Sequence, residues 1–202
     1  MKHSSTNALF AYWDVQRGTR MAPERSDIDP AAIRHVLGDT FVLAVDFVDE
    51  HRFRLAGTKV CALFCRELKG CSFAGIWSAA SRPSIRNLLA IVADESVGMV
   101  AGATGRAKDG PEIELELLLL PLAHRGHARV RALGVLAPIT IPYWVGASPV
   151  VELTLGALRH VGPEVGTPAA QRVTPHQEGG RLRLGFVEIG RASCRERVCQ
   201  YV

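Results

Sequence analysis

Much of the usual signature of catalysis is missing from this chain. It holds no Gly-x-Ser-x-Gly, no His-Glu-x-x-His and no phosphate-binding glycine loop. No paired Cys-x-x-Cys is present, and no Cys-x-x-Cys-His that would carry covalent haem. A structural zinc site wants four ligands, and Cys61, Cys65 and Cys71 have no neighbouring histidine to complete one. Cys61 and Cys65, four apart, share a helix face and read as small packing residues. Five cysteines, an odd number at irregular spacing, suit free thiols in a reducing compartment. No block of five or six like charges occurs. The net charge of +4 over 202 residues is half supplied by Arg191, Arg195 and Arg197 against Glu196, so nucleic acid is not an expected partner. The leucines Leu117–Leu120 fall far short of a membrane span. Met1-Lys2-His3-Ser4-Ser5 does not open a secretory signal. The default expectation is therefore a bacterial cytoplasmic protein.

What is present is ordinary globular material, 48% hydrophobic and 22% charged. Residues 7–17 read as an amphipathic helix capped by Ser5, Thr6 or Asn7 and ended by Gly18, with Leu9, Phe10, Trp13 and Val15 inward. Asp29-Pro30 opens a second predicted helix with Ile33, Val36 and Leu37 inward, stopped by Gly38-Asp39. Phe41–Val48 is an apolar strand, Asp49-Glu50-His51 a turn, and His51–Leu55 an alternating strand, together a hairpin. A short helical segment after Gly57-Thr58 ends at Gly70, and a second apolar turn closes on Trp77. A helix from Arg82-Pro83-Ser84 to about Glu95 turns Ile85, Leu88, Leu89 and Val92 to one side. Strands follow at 98–107, 112–120 and 128–137, with Pro121 marking the end of the second. Five strands with short turns among the late ones predict an antiparallel sheet, and the helical middle packs on one face. Val150–Leu158 is compatible with a strand or a short helix, 163–180 with a linker, and Arg181–Ile189 with a last strand.

The order of several pieces resembles the bacterial stand-alone PAS proteins, small sensory and regulatory modules, over about residues 7–160. Those pieces are Tyr12-Trp13, Asp27-Ile28-Asp29-Pro30, Arg54-Leu55-Ala56-Gly57-Thr58, Leu63-Phe64 with Arg66-Glu67-Leu68-Lys69-Gly70, Leu118–Leu122, Leu133-Gly134 with Pro138, and Pro142 with Trp144. The resemblance implies an α+β fold, a five-stranded antiparallel sheet with short helices on one face, plus an N-terminal helix and a C-terminal extension. It also implies a regulatory, non-enzymatic role in signal transduction. The departure is Cys65, where a glycine is expected before Arg66-Glu67-Leu68. The expected organisation is a sensory domain over 1–145, an extension over 146–190, and a tail over 191–202. That tail resembles translated vector or adapter sequence, with a natural disordered tail as the alternative.

The cofactor is unknown. Light-sensing PAS relatives resemble one another through Asn-Cys-Arg-Phe-Leu-Gln, and Gly70-Cys71-Ser72-Phe73 lacks the residues that would hold a flavin. For haem, His35, His51, His124 and His127 lie outside the helical middle and read as solvated. Glu112, Glu114 and Glu116, about 7 Å apart in turn along one strand face, read as half-exposed strand residues rather than a catalytic pair. No metal site and no catalytic residue is assigned. Candidate pocket residues are Phe47, Phe53, Leu63, Phe64, Phe73, Trp77, Leu88 and Leu115. Candidate homodimer contacts are Leu9, Phe10, Tyr12 and Trp13, if that helix does not lie across its own sheet. Three readings stay open: a small-molecule sensor, an adaptor for a regulatory partner protein with a filled core, and an unrecognised small enzyme.

Overall fold

The computed structural model describes residues 1–44, 51–108, 111–123 and 131–161. Its centre is a six-stranded, wholly antiparallel sheet: β1 (Thr40–Ala44), β2 (Phe53–Ala56), β3 (Gly98–Ala107), β4 (Glu112–Leu122), β5 (Arg131–Pro138) and β6 (Val150–Val161). The spatial order is β2-β1-β5-β4-β3-β6. The two strands of the hairpin read from sequence pair, with Phe41 opposite Ala56 and Val42 opposite Leu55; the end of the first strand and the Asp49-Glu50 turn expected between them lie outside the described residues. The stretch after Pro149, compatible in sequence with strand or helix, is a sixth strand, paired with β3 from Gly98↔Val161 to Ala107↔Val150. Pro121 does not end β4, which continues to Leu122.

One face of the sheet carries the helical middle. Helix α2 (Thr58–Leu63), a 3-10 turn at Ala74–Ile76 and helix α3 (Arg82–Asp94) pack there. Ile85, Leu88, Leu89 and Val92 of α3 are all buried, as their spacing requires. They join Leu115, Leu117 and Leu119 of β4 in one core.

The opposite face is also covered. Helix α1 (Ser4–Arg17) and the following chain to residue 37 bury Val100, Leu118, Leu120, Leu133 and Val135 beneath Leu9, Trp13, Ile28, Ile33 and Val36. Helix α1 starts earlier than its sequence suggests, because His3 is the cap: its Nδ1 accepts the Ser5 N–H at 3.1 Å. Gly18 closes it at φ +57°. Val15 points to solvent, 74% exposed.

The predicted helix after Pro30 does not form. Asp29 caps as expected, its Oδ1 accepting the Ala31 N–H at 2.9 Å. The chain then runs as turns, with Val36 donating to Ile33 O and Asp39 to Val36 O. Two turns between Pro30 and Gly38 are too few to repay helix nucleation. Ile33 and Val36 still reach the core.

Two close approaches fix glycine in the frame. A Cβ on Gly134 would lie 2.3 Å from Phe41 Cζ, whose ring crosses it from the neighbouring strand. One on Gly57 would lie 2.1 Å from Leu37 O. At the outer edge of β6, Ser78 N donates to Leu153 O at 2.8 Å and Leu155 N donates to Ser81 Oγ at 3.0 Å.

Candidate functional site

The interior between sheet and helical middle gathers the predicted pocket residues. Phe53, Leu63, Phe64, Phe73, Trp77, Leu88 and Leu115 are all buried in a single cluster. Phe47 lies outside the described residues. Four aromatic rings hold the centre. Phe41 packs on Phe73 at 5.4 Å and on Phe53 at 5.7 Å. Phe73 meets Phe53 at 5.5 Å and Trp77 at 5.9 Å. These are ordinary separations for rings in van der Waals contact, so the side chains expected to line a cavity pack on one another.

Two polar atoms break the apolar character. The indole N–H groups of Trp77 and Trp144 are buried and have no hydrogen-bond partner among the described residues. A buried donor without an acceptor costs free energy, so each marks a place where an acceptor would be stabilised. Trp144 enters the core from the β5–β6 connection; in the sequence it stands out only beside Pro142, as one piece of the family pattern. The same connection displays Ile141 at 64% and Tyr143 at 98% exposure, immediately beside the buried Trp144.

His51, expected to be solvated, is buried. Its carbonyl accepts from Phe73 N, and the next residue, Arg52, bridges to Ser72, so the 71–73 segment runs alongside it. His35 is exposed. His124 and His127 lie outside the described residues.

On the opposite face, the start of α1 is gripped by two buried carboxylates. Glu116 of β4 accepts the backbone N–H of Lys2 at 2.6 Å and of His3 at 3.1 Å. Asp39 accepts from Ser5 Oγ at 2.7 Å and from Lys59 Nζ at 3.1 Å. Negative charge at a helix N-terminus also opposes the positive end of its dipole. Burial works to raise the Glu116 pKa. The N–H donors of Lys2 and His3, with the nearby terminal amine, outweigh it, and the pKa falls below its ordinary value. Glu112 and Glu114 are exposed. Glu116 is thus not a half-exposed strand residue but the anchor of α1.

The predicted dimer contacts are largely engaged within the chain. Leu9 and Trp13 are buried under α1. Trp13 Nε1 donates to Pro121 O at 2.8 Å, and the Arg17 guanidinium lies 5.5 Å from its ring centroid. Tyr12 Oη donates to Asp27 O and accepts from Asp29 N. Phe10 stacks on Trp13 and stays half-exposed.

Two grooves open on the α1 side of the sheet. One, of about 430 Å3, runs over Gly102, Thr104, Glu114 and Gly156 between Lys2 and Arg159. The other, of about 300 Å3, lies between the 25–38 segment and the β1–β2 hairpin.

Cys61, Cys65 and Cys71 are free thiols. Burial pushes the Cys61 thiol upward, and the nearby Glu67 carboxylate adds to this. Cys65 sits at φ +48°. Among the described residues, no cluster of three or more His, Cys, Asp or Glu could hold a metal ion. Nor is any described helix long and apolar enough to cross a membrane.

A family model described as PAS domain matches residues 1–137. No curated protein matches the chain. Among solved structures, the PAS domain of an HTR-like protein from Haloarcula marismortui is similar, at 15% identity and a TM-score of 0.39. That similarity covers 54% of this chain and 90% of the other.

Proposed function

Because the chain belongs to the PAS domain family, whose role is sensory and regulatory signalling, we propose that it relays its signal by recognising a partner protein. The observation that carries this reading is the pairing of Tyr143 with Trp144. Trp144 is held in the core while Tyr143, 98% exposed, and Ile141, 64% exposed, stand in solvent beside it. An anchored loop that presents a bare aromatic and a branched aliphatic residue supplies the kind of contact that dominates protein interfaces. The filled aromatic interior supports the same reading, since its rings take up the volume a ligand would need. The family is typically sensory rather than enzymatic, and the proposed role includes no covalent chemistry.

For a second copy as partner, the α1 proposal narrows to Phe10 and Val15, because Leu9, Tyr12 and Trp13 already have contacts inside the chain. Sedimentation velocity at tens of micromolar tests self-association. In-cell crosslinking and mass spectrometry in the native host tests other partners. Ile141→Asp combined with Tyr143→Ala should abolish the crosslinked species, and an unchanged pattern would refute the assigned surface.

A second reading is favoured by the unpaired indole donors of Trp77 and Trp144. They support a small ligand carrying hydrogen-bond acceptors in the interior. An absorption spectrum and native mass of the purified protein decide it: a retained ligand is expected under this reading and none under the first.

A further inference from the structure

We propose that the groove between the 25–38 segment and the β1–β2 hairpin binds a fatty-acid-like amphiphile, with its hydrocarbon tail in the trough and its carboxylate on Arg25. At about 300 Å3 the groove matches the lower range of small-molecule sites. It lies on the α1 side of the sheet, away from the interior cluster, so binding there is independent of partner recognition through the Tyr143 loop.

The walls are hydrocarbon. Ile28, Ile33 and Leu37 come from the turn segment, and Val42, Leu55 and Leu133 from the sheet. Several of these surfaces are wet: Leu55 is 46% exposed, and Leu37 and Val42 are half-buried. A tail laid along them removes apolar surface from water on both sides, which is the main drive for such binding. The backbone shapes the trough and closes it at one end. The segment above it is a run of turns instead of a helix, and below it Gly57 lies so close to Leu37 and Gly38 that a side chain there would collide with their carbonyls.

Charge selects the head group. Arg25 is the one charged residue among the described residues that line the groove. Its Nη1 reaches Ile28 O at 3.4 Å, and no carboxylate pairs with it among the described residues. Two threonines, Thr40 and Thr58, also line the groove, and Thr40 already donates its hydroxyl to Val36 O. A single half-buried guanidinium beside an apolar trough complements one anionic head on one apolar chain. A protein partner would call for a broader face than this concave slot.

Calorimetric titration of the full chain with decanoate, below its micelle concentration, tests the proposal. Expected is a dissociation constant of about 100 μM or tighter, with Arg25→Ala weakening decanoate about tenfold. Arg25→Lys should recover part of that loss, and uncharged decanol should bind Arg25→Ala and the parent equally. Leu55→Glu, at an exposed position, should remove binding of both; thermal melts confirm that each variant is folded. Methyl signals of Ile33, Leu55 and Leu133 should shift on titration. Failure to bind at 1 mM would overturn the inference. So would equal decanoate affinity for parent and Arg25→Ala, or shifts confined to the Trp77 indole N–H. If the same methyl signals shift with protein concentration alone, a second copy fills the trough and the amphiphile assignment falls.

Discussion

The indole of Trp13 donates a hydrogen bond to the carbonyl of Pro121 at 2.8 Å, and this buried contact ties α1 to the centre of the sheet. Proline has no N–H to give the ladder, so its place in β4 depends more than most on what surrounds it. Trp13→Phe keeps most of the packing but strands the carbonyl; it should cost about 1–3 kcal/mol. Trp13→Ala removes the packing as well and should cost about 3–5 kcal/mol. Urea denaturation of the two variants separates these contributions, and a Trp13→Phe variant as stable as the parent would show that the hydrogen bond matters little.

Gly134 should be intolerant of even the smallest side chain. Phe41 Cζ and Leu118 O both lie within 2.6 Å of the position that an added methyl carbon would occupy. Gly134→Ala should destabilise by at least about 1–3 kcal/mol through overpacking, read as a lowered melting temperature. Combining it with Phe41→Leu should restore part of the loss, because the ring is one of the two sources of conflict.

Cys65 offers the opposite case. A non-glycine residue at φ +48° bears backbone strain. Nothing buried depends on the thiol, which is exposed. Cys65→Gly should therefore be stabilising by up to about 1 kcal/mol, measured by the denaturant midpoint. A loss of stability would mean that the flexibility gained by the unfolded chain outweighs the strain relieved.

The anchoring of α1 should weaken in acid. The folded pKa of Glu116 lies below its unfolded value. Its contribution is therefore complete above the unfolded carboxylate pKa of about 4.3 and lost as pH falls through the lower folded value. The protection factors of the Ser5–Leu9 amides should fall over that range. In Glu116→Gln the same amides should exchange faster already at pH 7, and the acid dependence should flatten.

Thiol chemistry should follow exposure. At neutral pH, alkylation mapped by peptide mass spectrometry should mark Cys65 before Cys61, whose burial raises its pKa and keeps it protonated. Equal labelling of the two would contradict the packing around α2.

Elements with a single dominant period were legible in the sequence. The four-residue rhythm of Ile85, Leu88, Leu89 and Val92 marks α3. The alternation of Arg52 to Leu55 marks the edge strand β2, but not one buried face of it: a register shift between Val42 and Leu43 leaves Phe53 buried and Leu55 exposed. The positive φ at Cys65 also leaves a trace, as a cysteine where the resembling family has glycine. What escaped was the second covering layer. Alternation in β4 stops at Glu116 and becomes the unbroken run Leu117–Leu120. A continuous run of that kind belongs to a strand buried on both faces, and Leu118 and Leu120 do face α1. Glu116 stands at the changeover, where a charged residue next to a leucine run is compatible equally with solvent and with a buried anchor. The groove beside Arg25 had no signal at all, because it is built from four separate chain segments that only the fold assembles.

The segment at 78–81 has a protective consequence. Sheet edges invite lateral growth, since an incoming strand finds a row of vacant donors and acceptors. On β6 that row is interrupted halfway, at Leu153 and Leu155, by groups of Ser78 and Ser81. A stranger's strand could therefore not zip along the full length of this margin, and templated aggregation loses its longest foothold on the molecule.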